Sequence, residues 1–212
     1  TKKGEPMKAN IVTEGKAKIA TYEGKISRKL EVFYNPLMRF NRDISVVLLR
    51  ALGRKSMKIA DPLAASGVRA IRFLLETKSA GNVAVNDFDK KAIADAKLNA
   101  KRNKITKSKI SFSQKDTSQF LLQSEGFDYI DIDPFGTPVP FLDAAVRRIN
   151  NGGVLAVTAT DTAVLAGTYP EVCRRRYWAE PMRNELMHEM AVRILIRKAQ
   201  LIGLQYDVAL IP

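Results

Sequence analysis

The residues best equipped for chemistry in this sequence are aspartates placed after apolar runs rich in Val and Ile. Asp61, Asp87 and Asp116 each follow such a run, and Asp131 with Asp133 closes a fourth. In an open parallel sheet, ligands bind outside the carboxyl ends of the strands, so acids at those ends would share one site. A single Asp at a strand-to-helix turn commonly caps the helix. Four such turns in register are harder to explain that way. The most specific of them is Asp131-Ile132-Asp133-Pro134-Phe135-Gly136, directly after Tyr129-Ile130. It sets a hydrogen-bond acceptor, a stiff backbone and an aromatic face within one turn. That combination suits an exocyclic amine on a planar base. The lone pair of such an amine is delocalised into its ring, so it attacks only when its N–H groups are held and the charge developing on nitrogen is relieved. Asp133 has the chemistry to hold the amine, and Phe135 to stack on the base. The structural alternative is a plain strand-ending turn, with Pro134 and Gly136 as turn formers and Phe135 in the core.

Asp87 stands about twenty residues beyond the first turn, where nucleoside-binding sheets place the carboxylate that accepts from ribose hydroxyls. The first turn itself, Asp61-Pro62-Leu63-Ala64-Ala65-Ser66-Gly67-Val68-Arg69, puts small residues and Gly67 at the mouth of a helix, where a ligand can approach the backbone. Neither Gly-x-x-x-x-Gly-Lys nor Gly-x-Gly-x-x-Gly occurs, which disfavours a nucleoside triphosphate or a dinucleotide. An adenosine-type cofactor without a pyrophosphate is expected.

Composition narrows the partners. The chain carries 35 Lys and Arg against 22 Asp and Glu, a formal charge of +13, and such a surface attracts a polyanion, nucleic acid first. With Cys173 and His188 as its sole Cys and His, it has no internal disulfide and too few ligands for a sulfur and imidazole metal site. No apolar run approaches the roughly 18–20 residues of a membrane span, and the Lys-rich start lacks an apolar signal core. The expectation is a cytoplasmic protein with no metal and no membrane partner.

The elements that must position these residues alternate in type. Strands are predicted over 57–60, 82–86, 109–113, 127–132 and 153–160, with a sixth over 205–211. Apolar residues at three- and four-residue spacing predict helices over 68–76, 90–102 and 141–149. This is the signature of an α/β fold with a mostly parallel, doubly wound sheet. Ahead of the sheet, 44–52 reads as a helix capped by Asp43 and ended by Gly53. After it, 161–181 reads as irregular and leads into a long helix from about 183 to 203. Residues 1–30 form a basic arm or hairpin, and 31–212 the main domain.

Five motifs in order carry a family resemblance: Phe33-Tyr34-Asn35-Pro36 with Asn41-Arg42-Asp43, Ser66-Gly67-Val68-Arg69-Ala70-Ile71-Arg72, Asn86-Asp87, the Asp131 to Gly136 turn, and Thr158-Ala159-Thr160-Asp161. Together they resemble the archaeal and eukaryotic tRNA (guanine-26-N2)-dimethyltransferase family, known as Trm1. The resemblance implies a Rossmann-like class I S-adenosylmethionine-dependent methyltransferase acting on the N2 amine of guanine 26 in tRNA. It further implies Arg42 and Arg69 as contacts to the methionine carboxylate, Asp87 as the ribose ligand, Asp116 with Thr117 beside the adenine, and Asp133 with Pro134 and Phe135 as the catalytic turn. Arg174, Arg175 and Arg176 follow the fifth strand and are candidate phosphate contacts. Such sheets usually have seven strands, and the resemblance implies a second domain after the sheet. The chain is therefore expected to be truncated before the last strand and before a C-terminal domain that contributes to tRNA binding. Two alternatives fit the same residues: methylation of another nucleic-acid amine, such as adenine N6, and a non-catalytic nucleic-acid-binding module on the same fold.

Overall fold

The computed structural model describes residues 9–22 and 34–212, so Phe33 and most of the 1–30 arm lie outside the described residues. What is described of the arm is a hairpin, β1 (Ala9–Glu14) paired antiparallel with β2 (Ala17–Tyr22). Its turn at Gly15, φ +54°, rests on the ion pair of Arg72 with Glu76, where an added Cβ would come within 2.1 Å of Glu76 Oε1. The hairpin is not detached: Ala17 and Ile19 are fully buried in the main core. Asn99 and Asn103 accept from the Ala20 and Lys18 amides through side-chain oxygens, which satisfies part of the free edge of β2.

A 3-10 turn at Pro36–Met38, capped by the Asn35 side chain, leads into α1 (Arg39–Ala51). The sheet follows, with β3 (Met57–Asp61), β4 (Ala80–Asn86), β5 (Ile110–Ser113), β6 (Phe127–Ile132) and β7 (Ile149–Val157) all parallel, in the order β5-β4-β3-β6-β7. Strand alternation sorts the core into two layers. Ile59, Val83, Val85 and Tyr129 pack with α1, α2 (Val68–Glu76) and α3 (Lys90–Arg102). Ala60, Ile130 and Ile132 pack with α4 (Thr117–Leu122) and α5 (Val139–Val146). Both faces of β6 are covered, which is why its apolar residues Tyr129, Ile130 and Ile132 fall on both sides of the strand instead of alternating with exposed polar ones. The helices α6 (Thr162–Leu165), α7 (Pro170–Tyr177) and α8 (Met187–Leu204) complete the chain, with Cys173, Tyr177 and Ile194 in a core of their own. Among the described residues, no helix is long and apolar enough to cross a membrane.

The doubly wound sheet expected from the sequence is present, and several local expectations are corrected. Asp43 is not a helix cap. The first helix begins at Arg39 because Asn35 and Pro36 supply the entry signals, and Asp43 pairs instead with Arg72 at 2.6 Å. Gly53, φ +62°, does close that helix. The span 161–181 holds two helices, the second started by Pro170. The predicted 153–160 strand lies earlier, at Ile149–Val157, and the helix before it ends at Val146. No strand forms over 205–211. The Val208 amide donates to the Gly203 carbonyl and Gln200 Nε2 to the Leu210 carbonyl, folding this segment back on α8. Val208 and Leu210 then join Leu142, Val146 and Ile202 rather than pairing with β7.

Candidate active site

The strand order reverses between β3 and β6, since β4 and β5 lie to one side of β3 while β6 and β7 lie to the other. Such a switch point opens a crevice at the carboxyl ends of the strands. A cleft of about 470 Å³ occupies that place, and Arg42, Arg69, Asp87, Asp133, Pro134 and Phe135 all line it. Six of the expected site residues, drawn from four separate segments, therefore converge.

Arg69, in the first turn of α2, organises the floor. Its Nη1 lies 3.1 Å from Asp131 Oδ2 and donates to Ser45 Oγ, and its Nη2 donates to Asn41 Oδ1 and, at 2.5 Å, to Asp133 Oδ2. The guanidinium is thus held by four side chains from two other segments, and Asp133 is anchored in turn. Asp131 sits behind, accepts from the Tyr129 hydroxyl at 2.8 Å and keeps Oδ1 buried without a partner. Burial raises the pKa of Asp131, against the pull of Arg69. Asp61 ends β3 at the cleft wall and accepts from the Ala70 amide. Burial, with the charges of Asp131 and Asp133, outweighs Arg69 and pushes Asp61 up to about 7. One arginine therefore faces three carboxyl groups, and Asp61 keeps its proton well above the usual carboxylate range.

Arg42 approaches the cleft from α1. Glu14, fully buried in the hairpin, accepts from Arg42 Nε at 2.7 Å and Nη2 at 2.5 Å, from the Tyr34 hydroxyl at 2.8 Å and from Arg72 Nη1 at 2.9 Å. Burial alone would raise the Glu14 carboxyl, but these donors hold it down at about 2. The Arg42 guanidinium also lies over the Tyr34 ring, 5.3 Å from its centroid.

The turn after β3 is built for close approach. Asp87 accepts from the Ala65 amide and from the Asp89 amide, each at 2.9 Å, which ties the ends of β3 and β4 together. Burial nevertheless raises its pKa above the ordinary carboxylate value. Gly67 is left-handed, φ +72°, and a Cβ there would meet the Ala96 Cβ at 3.0 Å, so only Gly lets this turn pack on α3. Beside it, Ser66 lines the cleft with a buried Oγ that has no hydrogen-bond partner.

Asp116 and Thr117 do not line the cleft. Asp116 caps α4 by accepting from the Gln119 amide, and the buried Thr117 donates to the Pro62 carbonyl. Arg174, Arg175 and Arg176 lie in the last turn of α7, outside the cleft lining, with Arg174 paired to Glu171 and Glu180 and Arg176 to Asp161. Sequence reasoning missed Glu14, Ser45 and the site role of Asn41. The first lies 28 residues from Arg42 and 58 from Arg72, with no spacing rule to link them.

Among known proteins, the family described as N2,N2-dimethylguanosine tRNA methyltransferase matches residues 8–212. The chain is 49% identical to the tRNA (guanine(26)-N(2)/guanine(27)-N(2))-dimethyltransferase of Aquifex aeolicus over 95% of its own length and 53% of that protein's. It is 43% identical to the tRNA (guanine(26)-N(2))-dimethyltransferase of Methanothermobacter thermautotrophicus over 87% of its length and 49% of that protein's. Among solved structures it resembles Trm1 from Pyrococcus horikoshii in complex with S-adenosyl-L-methionine, with a TM-score of 0.86 and 39% identity, covering 93% of this chain and 55% of that one. The chain thus spans about half the length of the curated relatives it matches.

Proposed function

Because the chain belongs to the N2,N2-dimethylguanosine tRNA methyltransferase family, we propose that its cleft is the catalytic centre of an S-adenosylmethionine-dependent enzyme that methylates the N2 amine of guanine 26 in tRNA. The observation that carries the reading is the placement of Asp133, Pro134 and Phe135 in one cleft with Asp87, at the switch point of the sheet. The cleft also fits the cofactor: Ser66 offers an unpartnered buried hydroxyl, Asp87 a carboxylate at the ribose position, and Arg42 a guanidinium for a carboxylate. S-adenosylmethionine would supply a methyl group already activated on a sulfonium.

In this reading Asp133 accepts from the N2 amine of the guanine and directs its lone pair, while Arg69 keeps that carboxylate in place. Phe135 supports the ring. The guanine must leave its stack to reach the cleft, so the protein's task is chiefly to orient it. Arg174, Arg175 and Arg176 would hold phosphates beside the extruded base. On this reading further tRNA contacts would come from a C-terminal domain such as the added length of the relatives could supply, and the enzyme would act in the cytoplasm.

Incubating the full-length protein with unmodified tRNA and labelled S-adenosylmethionine, then digesting the RNA, tests the reading by mass. N2-methylated guanosine mapped to position 26 is the expected product. Methyl-adenosine, or RNA binding with no transfer, would overturn it in favour of another amine or of a binding module.

A further inference from the structure

Glu14 belongs to none of the motifs that carry the family resemblance, yet it is the most connected carboxylate bordering the cleft. It sits at the end of β1, fully buried, and three elements meet on it: Arg42 from α1, Arg72 from α2, and Tyr34 from the segment before α1. Two of these partners, Arg42 and Tyr34, line the cleft. We propose that Glu14 is a positioning residue for the cofactor site, presenting the Arg42 guanidinium and the Tyr34 ring to the methionine end of S-adenosylmethionine. The proposal rests on the cofactor assignment above.

Three features favour positioning over simple burial of an ion pair. First, the bond is bidentate: Nε and Nη2 of Arg42 each meet one oxygen of Glu14, which fixes the plane of the guanidinium as well as its place. Second, the Asn35 carbonyl accepts from the same Nη2 at 3.0 Å, so the cleft-lining backbone at Asn35 is tied to that plane. Third, Glu14 is itself held from behind. Arg72 donates to its Oε1 and is braced by Glu76 and Asp43. The Lys16 amide donates to Glu76 in turn, so the hairpin turn cannot shift without moving this chain of contacts. Through Glu14 the N-terminal hairpin braces the wall of the cofactor site formed by Tyr34 and Arg42 rather than hanging as an appendage.

The test separates a positioned guanidinium from a merely folded one. S-adenosylhomocysteine carries the amino-acid end that Arg42 would meet, while 5′-methylthioadenosine keeps the nucleoside and lacks that end. Both are titrated calorimetrically into the full-length protein and into Glu14→Gln. The expected result is roughly a tenfold or greater loss for S-adenosylhomocysteine, within the range for a charge-assisted hydrogen bond, with 5′-methylthioadenosine unchanged within about threefold. If Glu14→Gln does not fold, Glu14→Asp keeps the charge between the arginines but withdraws it by one methylene, and the same selective loss is expected. Equal losses for both ligands, or no loss for either, would overturn the proposal. Failure of the wild-type protein to bind S-adenosylhomocysteine would instead strike the cofactor assignment.

Discussion

Replacing Asp61 by Asn removes a titrating group from the cleft wall while keeping an oxygen that can accept from the Ala70 amide. Burial, reinforced by Asp131 and Asp133, lifts the carboxyl from 3.8 to about 7. Between those values the folded protein holds a proton that the unfolded chain has released. Stability must therefore fall as pH rises through this window and stay low above it. The full displacement corresponds to about 4 kcal/mol at alkaline pH, and the part lying between pH 5 and 7 to about 3 kcal/mol. Asn at this position cannot titrate, so Asp61→Asn should be more stable than wild type, by a margin that grows by about 3 kcal/mol between pH 5 and pH 8. Asp87 and Asp131 are also raised, but both remain in the variant, so the difference between the two proteins reports the titration of Asp61 together with its coupling to Asp131 and Asp133. Urea unfolding at the two pH values, followed by circular dichroism, measures the margin. A margin that is constant with pH, or that shrinks as pH rises, would refute the claim that Asp61 is buried protonated.

Asp133→Ala is expected to reduce methyl transfer at saturating cofactor by at least about a hundredfold while S-adenosylhomocysteine affinity stays within a few fold, read by single-turnover transfer and calorimetry. Retained turnover would move the amine-holding role to Asp131. Asp87→Ala should weaken S-adenosylhomocysteine by about ten- to a hundredfold through loss of charge-assisted hydrogen bonds; unchanged affinity would remove it from the ribose site. Alanine at Arg174, Arg175 and Arg176 together should flatten the dependence of log affinity for tRNA on log salt by about one unit for each phosphate no longer neutralised, in filter-binding titrations at several salt concentrations. An unchanged slope would leave these arginines as helix-end and ion-pair residues only.

Much of the fold was legible because its central strands, β3 and β6, are buried on both faces. Tyr129, Ile130 and Ile132 put apolar side chains on both faces of one strand, which a half-exposed sheet would not hold, and short connections leave little freedom for the order of elements. The acids at the strand ends were legible for the same reason: topology alone gathers whatever follows each strand. The errors share a different cause. The stretch 205–211 has strand-like residues, but whether Val208 and Leu210 pair with β7 or fold back on α8 is decided by tertiary packing, not by local pattern. Asp43 has the residue type of a helix cap and became an ion-pair partner because Arg72, 29 positions away by their numbers, needed one. Glu14 left no trace at all. A carboxylate in a polar hairpin looks solvated until the fold places two arginines over it.

The charge distribution then sorts what can approach and what can enter. The chain as a whole carries +13, a field that draws in a phosphate backbone. The cleft is different, because the carboxylates of Asp87 and Asp133 line it beside the largely protonated Asp61, while its two arginines are each paired with acids, Arg42 with Glu14 and Arg69 with Asp131 and Asp133. Phosphates are attracted to the surface and repelled from the pocket. A neutral base is the part of an RNA that can cross that boundary, and a cationic methyl donor is the kind of cofactor that an acidic pocket favours. On the proposed reading, extrusion of the base is therefore enforced by electrostatics as well as by reach. The backbone stays where the exterior arginines are, and only the guanine enters the acidic interior, where Asp133 stands ready to accept from its amine.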